Sequence, residues 1–127
     1  MMTVYQTPAF DRDEVAPITP AEVERGKELF YGKYACQSCH IVDPQKDKGY
    51  IGPTLTQAGA RLTPAWIFHW LKDPQALRPG TLEPNQHIGD GDAHALAAFL
   101  TSLGTRRGTR APRAARANAA PSSGGRL

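Results

Sequence analysis

At 127 residues the chain has the length of one small domain. Its content of 40% hydrophobic and 21% charged residues fits a soluble globular protein, and no apolar run approaches membrane-spanning length. Only two Cys are present, which excludes a disulfide framework and a four-thiolate zinc site. The net charge of +3 is unevenly divided: residues 105–127 carry six Arg and no carboxylate, whereas residues 1–104 hold nine Lys plus Arg against twelve Asp plus Glu.

In chain order, residues 1–18 read as an extended arm with Pro8 and Pro17. The first fifteen residues have polar residues throughout and lack the apolar segment of a signal peptide, so an exported protein would have lost its leader or be part of a larger chain. Thr19-Pro20-Ala21-Glu22 is a helix start: Thr19 can cap, Pro20 suits the first helical position, and Glu22 completes a capping box. Val23, Leu29 and Phe30, with Gly26 among them, form the apolar stripe of a helix that runs on to Tyr34.

Residues 41–62 contain Pro44, Gly49, Gly52, Pro53 and Gly59 and read mostly as loop. Thr63-Pro64 opens a second helix carrying Trp66, Ile67, Trp70 and Leu71, which Pro74 stops. Residues 74–89 are again loop. Asp90 then caps a last helix, whose stripe is Leu96, Phe99, Leu100 and Leu103 and which Gly104 ends. No strand pair or repeat is evident. The expected architecture is all-α, with a domain over 19–104. The tail over 105–127 lacks core-forming residues and is expected to be disordered, as a linker or as a basic docking arm for an anionic membrane or partner. Loops this long in a compact domain call for something to fill the space between them.

Cys36-Gln37-Ser38-Cys39-His40 supplies that filler, because C-x-x-C-H is the attachment signature of c-type haem. Two thiols three residues apart on a helical turn reach the two vinyl groups of one porphyrin, and His40 is carried beneath the ring as a ligand to iron. A redox dithiol would be expected after a strand in an alternating strand–helix pattern. A zinc site would need further ligands at suitable spacing.

On these residues the sequence resembles class I cytochrome c over about 20–104. Gly26 and Phe30 match the small-plus-aromatic pair of the family's first helix, and Phe99 matches the aromatic of its last. Gly52-Pro53-Thr54-Leu55 looks like the family's loop after the attachment segment. The resemblance implies that the Pro53 carbonyl accepts a hydrogen bond from His40 and fixes its tautomer. Trp66, Trp70, Leu71, Asp73, Pro74 and the loop Pro79–Asn85 resemble a subgroup of small bacterial monohaem domains. By the same resemblance Tyr50, Arg61, Trp66 and Trp70 are candidates to hold the haem propionates.

The sequence departs from that subgroup at one position. Where the subgroup's distal loop supplies an axial methionine, this chain has Glu83, and its only methionines are Met1 and Met2. The iron is therefore expected not to be His/Met ligated. His87, four residues on, is the favoured second ligand, with Glu83 turned outward. Water-bound or five-coordinate iron, Glu83 itself, and a ligand from another chain are the alternatives. His69 and His94 are weaker candidates, the first read as a surface or propionate-side residue and the second as a solvated helix-face residue.

The resemblance implies one-electron transfer by a single covalent haem c, and no separate catalytic constellation suggests an enzyme. A small-ligand-binding or sensor protein with an open distal site, and a haem-bearing subunit of a larger redox assembly, are the alternatives. Redox proteins are the expected partners, with a homo-oligomer or larger redox complex considered as well. No nucleic acid is expected. The expected location is periplasmic or otherwise extracytoplasmic.

Overall fold

The computed structural model of the chain describes residues 17–104. The basic tail and all but two residues of the N-terminal arm lie outside that range. Among the described residues there are five α-helices, one 3-10 turn and no strand. They run α1 (Pro20–Tyr31), the 3-10 turn (Cys36–Ser38), α2 (Ala58–Arg61), α3 (Pro64–Lys72), α4 (Pro74–Leu77) and α5 (Asp90–Thr101). No described helix is long and apolar enough to cross a membrane.

The helix starts follow from side-chain caps. The Glu22 backbone N–H donates to Thr19 Oγ1 at 3.1 Å, and the Trp66 N–H to Thr63 Oγ1 at 3.1 Å. In both helices proline occupies the opening position, where its missing N–H leaves no partner unsatisfied. Pro74 does more than expected. It stops α3 at Lys72 and also opens α4, with the Ala76 N–H donating to Asp73 Oδ1 at 3.3 Å. The short helices α2 and α4 thus occupy stretches read as loop. α1 ends at Tyr31, short of Tyr34, with Gly32 as its C-cap. Gly89, not Asp90, is the N-cap of α5, and Asp90 and Asp92 lie in its first turn, where the helix dipole favours acids.

α1 and α5 cross with their backbones in close contact at Gly26. A Cβ there would run into the Ala95 carbonyl and stand 2.7 Å from Phe99 Cβ. Beside the crossing, Phe30 and Phe99 meet edge to face with centroids 5.5 Å apart, and both are buried. α3 packs on another face of α5 through Ile67. Leu96 is fully buried and Leu100 nearly so. Burying a side chain of this size contributes roughly 1.5–3 kcal/mol. At the far end of α5, the Gly59 N–H donates to the Leu103 carbonyl at 2.8 Å, tying α2 to the core.

A polar clamp holds the two helices at the first turn of α5. Asp92 accepts from Tyr34 Oη at 2.7 Å and Lys33 Nζ at 3.0 Å and is paired with Arg25, whose guanidinium also reaches the Gly91 carbonyl at 3.1 Å. The Tyr34 and Lys33 hydrogen bonds, opposed by desolvation and helped by Arg25, lower the Asp92 carboxyl to about 2.

Two outcomes follow from this packing. Gly26→Val places a branched side chain against backbone that cannot yield, so thermal melting should show a loss of about 3 kcal/mol or more. An unchanged melting temperature would contradict the crossing. Asp92→Asn tests the clamp. The folded carboxyl titrates below its unfolded value, so its stabilisation is complete above about pH 4 and is lost as pH falls toward 2. With Arg25 and Lys33 exposed to solvent, the variant should lose about 1 kcal/mol at neutral pH. That difference should vanish in denaturant titrations repeated near pH 2.

Candidate functional site

Between the helices lies a cavity of about 800 Å³, a size ordinary for a cofactor site. Its back wall is Phe30, Leu96 and Leu100 from α1 and α5, and its side wall is Trp66, Trp70 and Leu71 from α3. Trp66 and Trp70 stack with centroids 5.2 Å apart. Two loops close the remaining sides, one carrying Cys36 to Leu55 and the other Arg78 to Gln86.

The first loop leaves α1 through Ala35, which has a left-handed backbone (φ 49°), uncommon for a residue with a Cβ. That bend starts the 3-10 turn. The Cys39 and His40 N–H groups both donate to the Cys36 carbonyl, at 3.1 and 3.0 Å. Cys36, Cys39 and His40 therefore sit on one tight turn, and all three border the cavity. Both cysteines are free thiols. Burial pushes the Cys36 thiol up to about 12, and the Glu83 and Cys39 charges add to the effect.

His40 is held from two directions. Its Nδ1 donates to the Pro53 carbonyl at 2.7 Å. A carbonyl can only accept, so Nδ1 carries the proton and Nε2 is the nitrogen left for the cavity. Gly52 lies flat against the ring: a Cβ there would strike Cε1 and come within 2.8 Å of Nδ1. The neighbouring turn is braced by Asp47, which accepts from the Val42 and Asp43 N–H groups at 2.9 and 2.8 Å and from Tyr31 Oη at 2.9 Å.

The distal loop is organised by its own short side chains. The Glu83 N–H donates to Thr81 Oγ1 at 3.2 Å and the His87 N–H to Asn85 Oδ1 at 2.8 Å. Gln75 reaches back from α4, accepting from the Gly80 N–H at 2.9 Å and donating to the Thr81 carbonyl at 2.8 Å. Buried Ile88 anchors the far end, where Lys72 Nζ donates to its carbonyl at 2.8 Å.

The loop places Glu83 and His87 opposite to expectation. Glu83 points inward, with Oε1 3.4 Å from His40 Nε2. His87 is exposed and does not border the cavity. The turn closed by Asn85 puts His87 in a left-handed conformation (φ 56°), which carries it outward before Ile88 turns into the core. For His40, burial lowers proton affinity, but the Glu83 hydrogen bond, the Pro53 carbonyl and the Glu83 charge outweigh it and hold the group above its ordinary value.

The structure brings Cys36, Cys39, His40, Pro53, Trp66 and Trp70 together around the cavity. Two expected propionate residues lie elsewhere. Tyr50 is 86% exposed and borders a shallow surface pocket with Lys46 and Lys48, and Arg61 is exposed at the end of α2. Arg78, not singled out from the sequence, borders the cavity instead. Its position just before Pro79-Gly80, in the same loop as Glu83, was the available signal. His94 stacks on Phe68 with centroids 4.4 Å apart, and His69 meets the same ring edge-on, both away from the cavity.

These residues fit a haem. The cavity is lined mainly by apolar and aromatic side chains, and two thiols and an imidazole nitrogen converge on it from one turn. A glycine at position 52 makes room for the imidazole. Gly52→Ala should displace the His40 ring and break its bond to Pro53, shifting the ring-nitrogen NMR signals while far-UV circular dichroism stays near wild type. Unshifted signals would contradict this support.

Among curated proteins, the chain is 30% identical over 93 residues to cytochrome c oxidase subunit 2 of Bacillus subtilis (strain 168). The match covers 63% of this chain and about a quarter (26%) of that relative's length. No solved structure matches the sequence. The family described as Cytochrome c matches residues 23–104, which is most of the described domain and the segment holding the attachment turn, the cavity and both crossing helices. The chain belongs to the cytochrome c family, an all-α fold whose members carry covalently bound haem c.

Proposed function

We propose that the domain transfers single electrons through one haem c, attached by thioether bonds to Cys36 and Cys39 and ligated on one side by His40. The observation that carries this reading is the orientation of His40, with Nδ1 fixed on the Pro53 carbonyl and Nε2 turned into an apolar cavity that both thiols border. Bound there, the haem supplies a one-electron ferric/ferrous couple. The protein residues set its conditions. Phe30, Leu96 and Leu100 would exclude water, the Pro53 carbonyl would make His40 a more basic ligand, and Trp66, Trp70 and Arg78, which also line the cavity, would offer partners to polar groups of the ring.

We further infer a non-methionine iron, since the two methionines, Met1 and Met2, are far in sequence from the distal loop, where Glu83 takes the subgroup's methionine position. The reading is of a carrier and not an enzyme. Likeness to an oxidase subunit supports a place in a larger redox assembly, where a partner protein exchanges the electron. An extracytoplasmic location accords with the chemistry, because bacteria attach haem to such turns outside the cytoplasm.

The test is mass measurement on protein produced in a host that attaches haem. After acid–acetone extraction the denatured chain should retain the mass of one haem, and the Cys36→Ala/Cys39→Ala double variant should not. Release of haem from the wild-type chain would overturn the reading.

A further inference from the structure

The distal loop carries an inference that rests on the haem reading above and concerns what fills the position opposite His40. We propose that Glu83 ligates the oxidised iron and leaves on reduction, so that the distal side becomes a redox-gated site for a neutral diatomic ligand such as carbon monoxide or nitric oxide.

The geometry is direct. Glu83 Oε1 is 3.4 Å from His40 Nε2, with both side chains on the cavity wall. A nitrogen and an oxygen on opposite sides of a first-row metal ion stand about 4 Å apart. The difference of about 0.6 Å is well within reach of a three-torsion side chain that retains 25% exposure. The loop supports this aim without using the carboxylate: Thr81 holds the Glu83 backbone, Pro84 follows, and Asn85 directs His87 away. Among the described residues, no other that lines the cavity beyond the attachment turn is a histidine, cysteine, methionine or acid.

The ligand chemistry then makes occupancy depend on oxidation state. Carboxylate oxygen is a hard anionic donor that suits ferric iron, whereas imidazole and thioether hold ferrous iron better. With haem bound, Glu83 would release the iron when the redox partner delivers one electron: its oxygen would keep the bonding pair and the side chain would return to a free carboxylate. No further reactant is required. The cavity onto which the vacated position opens is lined mainly by apolar side chains, Phe30, Leu96 and Leu100 among them, surroundings that favour a small neutral ligand over an anion.

The experiment uses the full-length holoprotein, with haem attachment established separately by mass so that failure of the two readings is distinguishable. Optical and electron paramagnetic resonance spectra are recorded in both oxidation states, with carbon monoxide as probe of the ferrous form and imidazole as probe of the ferric form. Wild type should bind carbon monoxide readily when reduced. Glu83→Gln should change the ferric spectrum and raise ferric imidazole affinity about tenfold or more. His87→Ala should leave both spectra as they are. Glu83→Met should give low-spin iron in both states, raise the reduction potential and weaken carbon monoxide binding at least tenfold. A ferric spectrum that survives Glu83→Gln, or one lost in His87→Ala, would overturn the proposal, as would a ferrous wild type that stays low-spin and excludes carbon monoxide. Glu83→Gln is nearly isosteric, so the test stands even where Glu83→Met fails to fold.

Discussion

The backbone contact between α1 and α5 at Gly26 organises the rest of the molecule. With a hydrogen in place of a side chain, Gly26 lets the Ala95 carbonyl and Phe99 approach the α1 backbone directly. That approach fixes where Phe30, Leu96 and Leu100 stand, and they form the back wall of the haem cavity. It also fixes where each loop begins. The attachment turn leaves the end of α1, and the distal loop runs into the start of α5, so the crossing sets the distance across which His40 and Glu83 face each other. The ion cluster of Arg25, Lys33, Tyr34 and Asp92 ties α1 and the residues after it to the first turn of α5. Apolar wedge and polar clamp thus act on one joint.

Around this joint the two loops that border the cavity have almost no regular secondary structure. Their backbone groups are satisfied piecemeal. Asp47 gathers two N–H groups and a phenol, Gln75 bridges two backbone positions, and Thr81 and Asn85 each close a turn. Such loops hold a shape when short polar side chains replace the ladder bonds that strands would provide. The non-glycine residues with left-handed backbones, Ala35 and His87, lie one in each loop. Each marks a place where the chain changes direction next to the cavity, and each is set by its neighbours more than by its own preference.

The helices were legible in the sequence because their signals are local. Thr19-Pro20 and Thr63-Pro64 announce helix starts, and the Leu96, Phe99, Leu100 stripe announces a buried face. The attachment residues were legible because the covalent chemistry demands one spacing. The direction of the distal loop was not. Ligand preference alone favoured imidazole, but the direction of His87 is decided by the Asn85 turn and the anchoring of Ile88, which depend on tertiary packing. The short helices α2 and α4 were missed for a related reason: proline and glycine were read as breakers, although Pro74 opens a helix as well as it ends one. Tyr50 and Arg61 were assigned from the resemblance, and the exposed course of the chain at both residues removes them from the cavity.

The distal loop owes its shape to Gln75, Thr81, Asn85 and Ile88, and the Glu83 side chain takes part only through its contact with His40. The proximal side, with its thiols, its imidazole and the Pro53 carbonyl, is built from another stretch of chain. Anchoring and tuning are thereby separated. If Glu83 faces the iron as proposed, the donor atom offered there could be exchanged at one codon without rebuilding the loop that presents it or loosening the cofactor. A scaffold divided in this way would let a single replacement move it between the two proposed roles, carrying electrons and binding gases.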